Sequence, residues 1–157
     1  MSVEARIAGL GFKLSKSPKP AWSYLPARKS GSLVFVSGQI PKKLIDGDAV
    51  TQKGKVGTDV TLEHAQECAR LCAISILSVL KDAIGELDRV TAVLKVDGFV
   101  NCVDTFTDHP LVINGCSDLF VDVFGPEIGS HARAAVGCSS LPQGVPVEVS
   151  AVFEVRE

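Results

Sequence analysis

Between Thr61 and Ile84 apolar residues recur at helical spacing. Ala65, Ala69, Cys72, Ala73, Ile76 and Leu80 fall on one stripe. Asp59 or Thr61 can cap the start, Glu63 suits the positive end of the helix dipole, and Gly85 is a natural stop. Asp108-His109-Pro110 opens a second helix that buries Val112, Cys116, Leu119, Phe120 and Val123 and ends at Gly125-Pro126. Elsewhere the pattern is that of strands. Leu33 to Val36 is an apolar run closed by Ser37-Gly38-Gln39, and Val90 to Asn101 is rich in valine. His131 to Cys138 and Pro146 to Val155 follow, linked by the turn-rich Leu141-Pro142-Gln143-Gly144. In the last strand Val147, Val149, Ala151, Phe153 and Val155 alternate onto one face. A short helix is expected from Val3 to Leu10, ending near Gly11. Ser15 to Pro26, with Pro18, Pro20 and Pro26, reads as an extended, irregular arm. Lys43 to Gly57 is polar and Gly-rich and reads as a loop or flap.

The order strand, helix, strand, helix, strand, strand predicts an α+β fold of two layers, one sheet with two helices on one face. A chain of 157 residues fits one domain: a helix and arm over residues 1–28, then a core over 33–157. With 46% hydrophobic and 22% charged residues, the chain is not a disordered one. Leu71 to Leu80 is the longest apolar stretch. It is interrupted by Ser75 and Ser78 and is too short to span a bilayer. Glu4 and Arg6 stand where a signal peptide needs an apolar core. The expectation is a soluble cytoplasmic protein with no membrane partner.

Charge and cysteine narrow the chemistry. Residues 1–55 hold ten of the Lys and Arg residues and three acids, whereas 56–157 hold six and fifteen. The basic third could meet phosphates, but 6% aromatic residues give little on which to stack bases. Nucleic acid is therefore not the expected partner. Cys68, Cys72, Cys102, Cys116 and Cys138 form no Cys-x-x-Cys pair, and His64, His109 and His131 lack metal-ligand spacing with them. No metal is expected, and a buried small hydrophobe is the default for each thiol. Cys102 or Cys138 could be a nucleophile, but the sequence places no histidine to activate either one. No phosphate-binding glycine loop and no Gly-x-Ser-x-Gly elbow is present, and no cofactor is implied.

If the helices cover one sheet face, the other needs an explanation. In the last strand it carries Glu148, Ser150, Val152 and Glu154. In the preceding strand His131, Arg133, Ala135 and Gly137 share one parity. A mid-strand Arg and a mid-strand Glu on neighbouring strands either face water or line an interface or pocket. Arg grips a carboxylate with a planar fork of donors, and Glu can activate a water as general base. Together they suit hydrolysis of a small, anionic electrophile. His131 is expected to be packed or at the surface, and Asp97 and Asp104 to be surface or turn carboxylates.

Ser37-Gly38-Gln39-Ile40-Pro41, the helix from Thr61, His131-Ala132-Arg133-Ala134-Ala135-Val136, Leu141-Pro142 and Val145-Pro146-Val147-Glu148-Val149 together resemble the RidA (YjgF, "endoribonuclease L-PSP-like") family over nearly the whole chain. Gly54-Lys55-Val56-Gly57, Asn114-Gly115-Cys116-Ser117-Asp118-Leu119-Phe120, Val123-Phe124-Gly125 and the segment Glu4 to Leu14 resemble a longer branch of it. The resemblance implies a chorismate-mutase-like α+β subunit with a mostly antiparallel mixed sheet. It implies a homotrimer with sheets inward and small-molecule clefts between subunits. It also implies that Arg133 binds a substrate carboxylate and Glu148 positions the attacking water. Tyr24, Gly38, Asn114 and the backbone at Ala135 would bind substrate. Ala135 stands where the family's deaminases often carry Cys, so no thiol acts there, and Trp22-Ser23-Tyr24 replaces the family's usual Gly-Pro-Tyr.

The function implied is hydrolysis of 2-imino or 2-enamino acids to 2-oxo acids and ammonia, without a cofactor. The alternative is a non-catalytic trimer that binds a small anion, such as a 2-oxo acid, or a protein partner. Ribonuclease and translation inhibition, labels attached to the family, find support only in the basic N-terminal third.

Overall fold

The computed structural model describes residues 1–17, 19 and 22–157. Five strands form the sheet in the order β1-β2-β7-β5-β6: β1 is Ala27–Ser30, β2 Leu33–Gln39, β5 Val90–Asn101, β6 Ala132–Cys138 and β7 Val147–Val155. All neighbours run antiparallel except β5 and β6, which are parallel. Parallel neighbours need a crossover, and helix α3 (His109–Phe124) supplies it. Beside it on the same face lies α2 (Leu62–Ile84). The two helices and the inner face of the sheet enclose the core. Phe120, Leu119, Ile76, Leu77 and Leu80 meet Val34, Val93, Val96, Val149 and Phe153, all fully buried or nearly so. Each such side chain contributes about 1.5–3 kcal/mol by leaving water.

Both helices start and stop as their sequences dictate. Thr61, not Asp59, caps α2, its Oγ1 accepting from the His64 N–H at 3.1 Å. Asp59 Oδ2 instead accepts from the Lys55 N–H at 3.2 Å. Gly85 ends α2 at φ +88°, where a side chain would be strained. After Gly125 a single turn, α4 (Pro126–Gly129), leads into β6. The N-terminal helix α1 (Val3–Gly9) docks against the end of α3 and the segment that follows α2. Arg6 Nη1 donates to the Val123 carbonyl at 2.6 Å, and Asp88 Oδ1 accepts from the Val3 N–H at 3.0 Å.

Two expectations need correction. The stretch read as a loop or flap contains a hairpin, β3 (Lys42–Ile45) against β4 (Asp48–Thr51). Its two-residue turn, Asp46-Gly47, has φ of 51° and 89°. Asp-Gly favours this tight hairpin turn with both φ angles positive, and that local signal outweighs the polar composition. Strand β1 is likewise outside the strands expected from the sequence pattern. It pairs with β2 around Gly31, at φ +58°. The irregular arm expected from Ser15 to Pro26 includes Pro18, Pro20 and Ala21, which lie outside the described residues.

The sheet face away from the helices is not charged throughout. Phe35 lies opposite Val152, and Phe99 lies between Glu148 and Val136. Phe35, Phe99 and Val136 are all exposed. Across this face Lys95 Nζ pairs with Asp97 Oδ1 at 2.7 Å.

Candidate functional site

Arg133 and Glu148 do not share a face, and their strands are not neighbours. Strand β5 lies between β6 and β7. Because α3 is the crossover between β5 and β6, it covers the inner side of β6, and Arg133, Ala135 and Gly137 point beneath it. Glu148 points to the opposite, open face, opposite Phe99. Both charges would share the uncovered face only if the last two strands paired directly. The parallel pairing of β6 with β5 separates them. Within one chain the sequence-selected residues therefore fall into two separate groups, two candidate half-sites.

The first half-site is built on α3. Asn114 and Ser117 stand three apart on one helix face. Arg133 Nη1 donates to Asn114 Oδ1 at 2.8 Å and to Ser117 Oγ at 3.1 Å, and Nη2 reaches the Pro110 carbonyl at 3.4 Å. A guanidinium has five N–H donors, so two remain without a protein acceptor among the described residues. All three partners are uncharged. The ion pairs among the described residues are Arg70–Asp122, Lys81–Glu4 and Lys95–Asp97, so no carboxylate neutralises Arg133. Behind Ser117 stands His131, with Nε2 at 2.9 Å from Ser117 Oγ and Nδ1 at 2.7 Å from the Gly129 carbonyl. A carbonyl only accepts, so Nδ1 carries the proton, Nε2 accepts from Ser117, and Ser117 turns its lone pairs toward Arg133. Burial, together with the nearby Arg133 charge, pushes the imidazole pKa down and keeps it neutral, although the bond to Gly129 opposes this. His131 is thus half-buried and has a definite task, orienting the hydroxyl that holds Arg133. Ala135 packs against the core beside Arg133 and does not reach the other half-site.

The second half-site is a cleft of about 390 Å³ lined by Tyr24, Gly38, Gln39, Lys42, Gln143 and Glu148, among others. A bulge in β2 makes it. Val36 pairs with Ala151, but the next pair is Gln39 with Val149, so β2 carries one extra residue there. The bulge brings Gly38 against Glu148, where a Cβ on Gly38 would collide with Glu148 Oε1. Ser37 holds the preceding segment, its N–H on the Pro26 carbonyl at 2.9 Å and its Oγ on that of Leu25 at 2.7 Å, which sets Tyr24 at the cleft. Burial raises the Glu148 carboxyl pKa above its ordinary value. Gln143, absent from the sequence-based selection, lines this cleft with φ +58°. Its place in the Pro142-Gln143-Gly144 turn was the available signal.

Lys55, in the Gly54-Lys55-Val56-Gly57 segment, ties strand ends together, donating to the carbonyls of Ser139 at 2.6 Å and Cys102 at 3.3 Å. His109 Nε2 lies 3.5 Å from Cys102 Sγ, so the fold does place a histidine on a cysteine where the sequence showed none. Among the described residues no cluster of His, Cys, Asp and Glu could hold a metal ion. No helix among them is long and apolar enough to cross a membrane.

A two-layer α+β fold with a bulged second strand and an Arg held under its crossover helix defines the class of protein. Comparison with known sequences gives the family. Residues 4–150 match the family described as "YjgF/chorismate_mutase-like, putative endoribonuclease", and the chain belongs to this YjgF/RidA-like family. It is 42% identical over 154 residues to Protein TCP17 of Trypanosoma cruzi, covering 98% of this chain and 94% of that protein. Among solved structures it is similar to the protein Atu1372, of unknown function, from Agrobacterium tumefaciens. That match has 43% identity, TM-score 0.87, and coverage of 99% of this chain and 94% of the other. A "putative endoribonuclease" from Shewanella oneidensis superposes with TM-score 0.90 at 28% identity, covering 99% and 100%. The sheet and helices match the chorismate-mutase-like YjgF fold.

Proposed function

We propose that the chain is a 2-imino/2-enamino acid deaminase whose site is completed between subunits of a homotrimer, the Arg133 half of one facing the Glu148 half of the next. The observation that carries this reading is the uncompensated Arg133. It has three neutral acceptors, two spare donors and no carboxylate partner among the described residues. A cation held this way is prepared for a planar anion. The exposed apolar residues of the open face, Phe35, Phe99 and Val136, support burial of that face against other subunits.

The chemistry follows from the two groups. Arg133 grips the substrate carboxylate, with Asn114 and Ser117 fixing the guanidinium. Tyr24 and the space over Gly38 receive the rest of the molecule. Glu148, a stronger base for being buried, takes a proton from water as the oxygen bonds to the imine carbon and passes it to the nitrogen, giving a carbinolamine. Glu148 then takes the hydroxyl proton and delivers it to the amine as the C–N bond breaks, and ammonia and a 2-oxo acid leave. The imine carbon is already electrophilic, so no cofactor enters.

The test generates imines from a panel of amino acids with an amino-acid oxidase and traps what survives with semicarbazide. Wild-type protein should lower the trapped imine. Arg133→Ala should raise KM, and Glu148→Gln should lower kcat about a hundredfold or more while sparing 2-oxo acid binding. No effect across the panel defeats the deaminase reading. Retained 2-oxo acid binding in that event favours the non-catalytic anion-binding trimer.

The endoribonuclease descriptions of the relatives give a second reading. Trp22 and Tyr24 are exposed beside Lys19 and Lys42 in the Glu148 cleft, the pairing of aromatic and cation that single-stranded RNA uses. Cleavage of a single-stranded RNA by wild type, lost in Glu148→Gln, would move the assignment there.

A further inference from the structure

We propose that Cys102 and His109 form a separate covalent site, in which the thiol adds to small, uncharged α,β-unsaturated carbonyl compounds. The pair lies at the far end of β6 from Arg133, in a pocket of about 320 Å³ that includes Asp104, Phe106, His109, Gly137 and Cys138. His109 Nε2 stands 3.5 Å from Cys102 Sγ, and Phe106 meets the imidazole edge-on at 5.6 Å, bracing the ring. The approach to the pair depends on Gly137. A Cβ there would sit 2.5 Å from His109 Nε2 and 3.0 Å from Cys102 Sγ, over both reacting atoms.

The surroundings select the electrophile. Asp104 lines the pocket and disfavours an anion. The nearest ammonium, Lys55, is engaged by the carbonyls of Cys102 and Ser139, so it is not presented as an anion receptor. Phe106 offers an apolar wall, and sulfur is a soft nucleophile that prefers conjugated carbon. Cys102 is 6% exposed, and burial keeps its thiol protonated at rest even though Lys55 opposes this. The thiol therefore needs a base in the reacting step, and His109 is in reach. Sulfur bonds to the β-carbon while His109 takes the thiol proton. The C=C electron pair moves onto the carbonyl as an enolate, and His109 returns the proton to the α-carbon. Every atom of the electrophile is retained in the adduct, and no oxidant or cofactor is consumed. None of this uses Arg133 or Glu148, so the inference stands apart from the deaminase reading.

The experiment treats the full-length protein with substoichiometric methyl vinyl ketone and maps adducts by peptide mass spectrometry. Cys68, Cys72 and Cys116 are fully buried and Cys138 is the most exposed thiol, so exposure alone predicts labelling at Cys138. The dyad predicts Cys102 first. His109→Gln should slow labelling of Cys102 about a hundredfold and leave Cys138 unchanged. Gly137→Ala, whose Cβ would crowd Cys102 Sγ and push the His109 imidazole off it, should also protect Cys102 alone. Labelling of all five cysteines in a variant reports unfolding, and the other variant then decides. Cys138 labelled ahead of Cys102 in wild type overturns the proposal. So does a Cys102 rate that neither folded variant changes.

Discussion

At the scale of single residues, the candidate site depends on groups placed against their ordinary preferences. Glu148 is a carboxyl whose pKa is raised by burial, beside a glycine whose missing Cβ makes room for it. An acid with a raised folded pKa holds its proton to higher pH in the native than in the unfolded state. Its contribution to stability is therefore largest below the unfolded carboxylate range and falls as pH rises through the folded pKa. Glu148→Gln removes that burden. The variant should melt higher than wild type at pH 7, and the gap should close as the pH drops toward 4. Thermal melts at several pH values check this, and equal pH dependence in both proteins rules it out. In the sequence His131 reads as an ordinary packed or surface residue. Its part in orienting Ser117 depends on the Gly129 carbonyl and Arg133, which only the fold brings near.

At the scale of elements, periodicity located both long helices and the strands β2, β5, β6 and β7, because each has one buried face and a repeat that matches its geometry. It missed β1 and the β3–β4 hairpin, whose residues are mostly exposed and show no buried stripe. The packing of α3 on α2 turns on Gly115. A Cβ there would collide with the Gln66 carbonyl oxygen. Alanine in a helix is favoured over glycine by about 1 kcal/mol, whereas overpacking costs about 1–3 kcal/mol and backbone cannot step aside as a side chain can. Gly115→Ala should therefore destabilise the protein, by about 1–2 kcal/mol net, in a urea titration. A gain in stability would show that the helices can separate without loss. Because Asn114 and Ser117 flank this contact, the same substitution should weaken carboxylate binding.

The whole molecule leaves a sheet face only partly satisfied. Phe35, Phe99 and Val136 are exposed on it, Glu148 borders it, and Arg133 opens on the other side of the edge strand β6. A second copy packed on this face would cover the apolar residues and could bring its Arg133 half to the Glu148 cleft. Phe99→Asp places a charge at the centre of that surface. It should yield a folded monomer by light scattering and circular dichroism, with imine hydrolysis lost although every site residue is intact. A Phe99→Asp protein that stays assembled, or a monomer that keeps full activity, removes the shared site.

Sequence by itself determined the helical and strand periods, the two-layer α+β class and the family resemblance. These depend on local alternation and on the order of short motifs, both written along the chain. It also picked out Arg133, Glu148, Tyr24, Gly38 and Asn114 as residues of interest. Tertiary structure alone decided that they fall into two separate groups. Facing is set by which strand pairs with which, and the parallel pairing of β6 with β5 turned Arg133 beneath α3 while Glu148 stayed on the open face. The meeting of Cys102 with His109 has the same origin. Seven residues apart in sequence, they come together only because the loop between them folds the start of α3 back onto the end of β5.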